Sequence, residues 1–263
     1  MNCRKTFFKI RNFPVTHFYK FKKFIVAFII FTFILINCIN NNLRDTNLIN
    51  CSICRGNLTT ISGLLHLYLQ KHGHFPPAFV VDNQGRPMHS WRVLVLESAG
   101  HPLQTLYNKF DLDEPWNSPR NSKLIREMPK FYACPNRHRG SIQFVTNYVG
   151  IVGPQTVFPN QNSVSLEDIH DNIDTTLQIA EIDNSEIYWS EPNDLTITND
   201  EIVLGNARPA KITSGDLPGP GFLFVDGRIR RSAKRLEYQN LSPIITINGN
   251  EVMSKEFSDF FPY

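Results

Sequence analysis

The residues able to do chemistry in this chain are five cysteines, eight histidines and scattered carboxylates. The thiols cluster at Cys51-Ser-Ile-Cys54, with Cys134 the distant one. Cys-x-x-Cys serves redox exchange or half of a zinc site, and zinc needs two further ligands at suitable spacing. His66, His72 and His74 lie near but form no recognised ligand pattern. The preferred reading is one structural disulfide, Cys54 to Cys134. It would close a loop of about 80 residues and stabilise by about 4 kcal/mol through chain entropy. Cys51 then stands outside it.

Acid–base candidates are Asp226 in "PGPGFLFVDGRIRR", together with His89, His101, His138 and Ser90. None sits in a Gly-x-Ser-x-Gly elbow, a His-Glu-x-x-His helix or a glycine-rich phosphate loop. The expectation is therefore no enzyme, with a hydrolase as the remote alternative, and no catalytic, cofactor-binding or metal residue is assigned. Asp168, Asp171 and Asp174 have the oxygen ligands calcium prefers. Their spacing matches no calcium loop, and a solvated acidic loop is preferred. Asp226-Gly227 reads as a two-residue hairpin turn. Phe222 and Phe224 then point to one face of a strand, with Leu223 and Val225 on the other. Trp91, Trp116 and Trp189 lie beside polar turns. Packing with a bonded indole N–H is preferred to a recognition surface.

These side chains need a scaffold, and the charge pattern places it. Residues 1–23 hold seven of the 27 Lys and Arg and no acid, which leaves 20 basic against 24 acidic groups, a net of −4. A mildly acidic body argues against nucleic acid. From Phe24 to Ile36, eleven of thirteen residues are Phe, Ile, Val or Leu. With cations in front, this run predicts a transmembrane signal anchor over 24–39, the N-terminus cytoplasmic and the body outside the inner (cytoplasmic) membrane. A cleaved signal peptide and a lipid on Cys38 are the alternatives. The segments are then a basic cytoplasmic stretch 1–23, the anchor 24–39, a polar linker 40–53 and an extracytoplasmic domain 54–263.

Within that domain, Leu58, Ile61, Leu65 and Tyr68 share a helical face ending at Gly73. "SWRVLVLESAG" predicts a short helix capped by Ser90. "PLQTLYNKF" and "SPRNSKLIREM" predict two more. "KFYACP", "IQFVTNYVGIV", "TTLQIAEI", "EIYWSE", "GFLFV" and "RIR" predict strands. Helices followed by strands imply an α+β fold with an antiparallel sheet. No Lys or Arg falls between Gly140 and Ala207, where eleven acids lie, and seven basic residues follow from Arg208 to Arg235.

In order, "CRGNLTTISGLLHLYLQKHGHFPPA", "DNQGRPMHSWRVLVLE", "LYNKFDLDEPWNSPRNSKLIREMPKFYACP", "TNYVGIVGPQTVF", "LEDIHDNIDTTLQIAE", "WSEPNDL", "PGPGFLFVDGRIR" and "INGNEV" resemble the bacterial family called domain of unknown function 1559. The resemblance runs from about Cys54 to Val252. It implies a pseudopilin-like fold, an N-terminal helix packed on an antiparallel sheet, preceded by one transmembrane helix. Cys54 and Cys134 fall on the family's two cysteines. It also implies a structural or protein-interaction role at the cell surface, with partners in a secretion-type assembly and no catalytic residues. The alternative is an anchored surface ligand-binding module assisted by calcium. The Gly-Phe-Thr-Leu-x-Glu start of a prepilin is missing here.

Overall fold

The computed structural model describes residues 32–33, 36, 39, 51–135, 142–183, 185–198, 201–205, 208–209, 219–232, 238–249 and 261. The basic segment 1–23, most of the apolar run 24–39 with Cys38, the linker to residue 50, and His138, Lys234 and Arg235 lie outside the described residues. The chain divides into two units, Met1–Leu48 and Ile49–Tyr263. In the first, residues 32–33, 36 and 39 are helical, and Phe33, Ile36 and Ile39 are exposed. Among the described residues, no helix is long and apolar enough to cross a membrane.

The second unit opens on helix α1, residues 51–72, which takes in part of the stretch read as linker. Leu58, Ile61 and Leu65 are fully buried on one face. Each contributes about 2 kcal/mol by leaving water. Gly73 ends the helix at φ +79°, its N–H bonded to Leu69 O at 2.8 Å. That left-handed cap suits glycine, and Pro76-Pro77 prevents any resumption.

A two-stranded sheet follows, β1 (Phe79–Val81) against β2 (Pro87–Ser90). Ser90 accepts from Arg92 N at 3.2 Å and so caps α2 (Trp91–Leu94). A 3-10 turn, Val95–Ser98, and α3 (Leu103–Tyr107) come next. "SPRNSKLIREM" forms a 3-10 helix, Asn121–Glu127. "KFYACP" is also a 3-10 turn, Lys130–Tyr132, and not a strand. Pro129 and Pro135 bracket it, and proline withholds the N–H a ladder needs.

The main sheet has seven strands in the order β7-β6-β5-β3-β4-β8-β9. They are β3 (Tyr148–Val152), β4 (Leu177–Glu181), β5 (Leu195–Thr198), β6 (Glu201–Leu204), β7 (Arg208–Pro209), β8 (Gly221–Phe224) and β9 (Ile229–Arg231). The expected antiparallel sheet is corrected at one pair, since β5 lies parallel to β3. The cause is the route from β4. Its last residue, Glu181, pairs with Tyr148 at the start of β3. The chain then stays at that end, bonding Ile182 N to Asn147 O and accepting Thr146 N at Ile187 O, before entering β5. "EIYWSE" forms this crossing, with one isolated bridge from Tyr188 to Val145 and no strand.

The sheet is covered on both faces. Tyr148, Val152, Ile179, Leu223 and Val225 join one apolar cluster with α1, α2 and α3. Val149, Ile151, Leu177, Ala180, Phe222 and Phe224 join another with Leu241, Ile244 and Ile245 of α4 (Tyr238–Ile245) and with Phe261. Double coverage explains why β3, β4 and β8 are buried throughout.

Candidate functional site

The first turn of α1 is tied to the body. Cys54 and Cys134 form a disulfide with Cα atoms 5.4 Å apart and a sequence separation of 80. One turn on, Asn57 donates to Ala133 O at 2.9 Å. Buried Glu181 lies beside the disulfide, a carboxylate oxygen within 4.8 Å of both sulfurs. These three atoms are the only triad of metal-capable ligands among the described residues, and the two sulfurs are bonded to each other. Glu181 accepts from Gly221 N at 2.7 Å and from Arg231 at 3.4 Å. Arg231 also donates to Gly219 O at 2.7 Å and to Cys51 O at 3.3 Å. Side-chain bonds thus join α1, β4, β8 and β9 at the point where the chain enters the domain. Gly221 permits the close approach, because a Cβ there would sit 2.6 Å from Leu58 Cδ1.

Arg92 forms the second polar centre, fully buried against Asp194, which is 2% exposed, at 2.6 Å. Its remaining donors reach Trp189 O at 2.9 Å, Tyr148 O at 3.4 Å, Glu191 O at 3.0 Å and Asn193 O at 2.7 Å. Asp194 Oδ1 also accepts from Gly150 N at 2.6 Å and from the Trp91 indole at 3.2 Å. Burial pushes the Asp194 carboxyl up, against the downward pull of Arg92, the Gly150 amide and the indole. This node fastens α2 to the crossing before β5. Sequence reasoning missed it, although a single arginine inside "WRVLVL" was a signal, since buried arginine needs a partner.

The third group surrounds the β8–β9 hairpin. Leu223 pairs with Ile229. Phe224 N donates to Arg228 O at 2.9 Å, and Gly227 N to Phe224 O at 3.0 Å. Gly227 takes φ +87°, and Asp226 is not among the residues at positive φ. The loop therefore holds three residues, Val225 to Gly227, in place of the two-residue form. Arg228 pairs with Asp174 at 2.9 Å and Asp226 at 3.0 Å. Part of the basic run after β8 thus meets the acidic stretch within the molecule.

The other sequence candidates disperse. Asp168 caps the 3-10 turn Leu166–Asp168 through Ser165, which holds its carboxyl below the usual range. Asp171 accepts from Thr246 and from Gly249 N. With Asp174 on Arg228, the three carboxylates serve three different partners. His101 is exposed, and Ser90 serves as the α2 cap. Trp91 and Trp189 are buried, and the Trp189 indole donates to Ile125 O at 3.0 Å. Trp116 is half-buried and tilts against Tyr188 at 6.0 Å. A cavity of about 280 Å³ lies between Gly153–Thr156, Ile197 and Ile245–Thr246, and no ionisable residue lines it.

The family model described as "Protein of unknown function (DUF1559)" matches residues 52–215, more than half of the chain. The match takes in both bonded cysteines, Arg92, Glu181 and Asp194, and ends before β8. No curated protein and no solved structure matches.

Proposed function

The chain belongs to the DUF1559 family, whose function is unknown, and from that premise we propose a membrane-anchored, pilin-like protein with a structural or protein-interaction role at the cell surface. The observation that carries this reading is the reinforced start of α1. The Cys54–Cys134 disulfide and the Arg231 contacts brace the helix where the polypeptide arrives from its basic and apolar N-terminal region. A disulfide persists in an oxidising space. Seven cations ahead of an apolar run keep the N-terminus in the cytoplasm. A body held outside the membrane by one anchor meets both conditions, and bracing at the attachment point suits a protein that passes force between membrane and partner.

A second reading, an anchored ligand-binding module, draws on the half-buried Trp116 and Tyr188 pair. Its calcium-assisted form loses support from the divergent Asp168, Asp171 and Asp174. Photo-crosslinking separates the two readings. Leu67 on α1 is 44% exposed. A crosslinker there, in native membranes, is expected to capture other envelope proteins in fixed proportion. Capture of none would remove the assembly role.

A further inference from the structure

His89 on β2 is the one buried titratable ring among the described residues with neither nitrogen in a hydrogen bond of acceptable geometry. Burying such a group without a partner is unfavourable. Phe110 meets it edge-on at 6.0 Å and also meets Trp189 at 5.7 Å. The loop 111–121 brings the backbone carbonyls of Asp111, Leu112 and Glu114 to the ring. One side chain shapes that loop: Asn121 accepts from Asp111 N at 2.9 Å and donates to Asp111 O at 2.8 Å, Glu114 O at 3.0 Å and Pro115 O at 3.1 Å. Its backbone tie to β2 is Trp116 N to Met88 O at 2.9 Å, one residue before His89.

We infer that loop 111–121 is a strap over β2 that lifts when His89 takes up a proton, releasing Trp116 from Tyr188. A charged imidazole buried here is cut off from water, and lifting the strap admits it. Burial is the largest influence on His89 and holds it below its ordinary range. The carbonyls of Glu114, Leu112 and Asp111, and the Asp111 carboxylate, act more weakly the other way. Asp111 is itself paired with Arg120 at 3.1 Å. On the remaining sides, β1 presents the apolar "FVV", and Glu191 is engaged by Tyr188 N and Asn193. The lifted form therefore binds a proton at about pH 6.5 and the strapped form at lower pH. The strapped state is fully favoured above that value and loses ground as pH falls through it.

The test uses the full chain in detergent. Acrylamide quenching is compared between the wild type and Trp116→Phe, so that the difference isolates Trp116. Quenching of Trp116 is expected to step up as pH falls below about 6.5, and His89→Phe should abolish the step. Phenylalanine keeps a planar ring beside Phe110 and cannot take up a proton. His89→Gln serves as the second variant should His89→Phe pack badly. The proposal is overturned if the step persists in either folded variant, or if His89 titrates in an NMR experiment while Trp116 quenching stays flat.

Discussion

Two arginine–aspartate pairs in this fold share their chemistry and differ in surroundings. Arg92 and Asp194 are sealed between α2 and the sheet, and the guanidinium donates to five oxygens. Arg228 joins Asp174 and Asp226 at the hairpin tip with 59% of its side chain exposed. A buried charge that loses its partner stays desolvated, whereas an exposed one returns to water. The same two residue types thus make a keystone in one place and a minor contact in the other.

Arg92→Met tests the contrast hardest. It should cost about 3–5 kcal/mol in denaturant unfolding, because Asp194 and four carbonyls lose donors at once. A loss below about 1 kcal/mol would place this pair with ordinary surface bridges. Joint Cys54→Ala and Cys134→Ala substitution comes next, at about 2–4 kcal/mol from the 80-residue separation. Urea midpoints before and after reduction of the wild type provide the check. Gly221→Ala should cost about 1–3 kcal/mol by overpacking against Leu58. Thermal melting reads it, and a partial recovery in Gly221→Ala with Leu58→Ala would identify the clash. Arg228→Ala should cost less than about 1 kcal/mol. Its effect should shrink further in high salt, as Arg92→Met should not.

How far each region could be read beforehand follows the same division. Leu58, Ile61 and Leu65 fall at helical spacing, so α1 was readable from a local pattern. Phe222 and Leu223 went to opposite faces of β8 as alternation requires. The disulfide was readable because few thiols were available to pair. "EIYWSE" and "KFYACP" have the composition of strands, but tertiary contacts set their form: Trp189 is buried with its indole on Ile125 O, and Tyr132 donates to Arg92 O at 2.8 Å. The parallel placement of β5 depends on the path of 182–194 around the start of β3, which no local pattern encodes. "LTITNDEIVL" did carry the alternation and turn signal of the β5–β6 hairpin. Arg92 finds Asp194 across 102 residues, and neither has a local mark beyond an arginine among apolar neighbours.

The anchored, outward-facing arrangement is tested most directly by labelling lysines in whole cells stripped of their outer barrier, with an amine reagent that cannot cross the membrane. Lys71 and Lys109, each 47% exposed, should be labelled, and Lys5, Lys9 and Lys20 should react only after the membrane is opened. Labelling of Lys5 and Lys9 with Lys71 and Lys109 protected would contradict it.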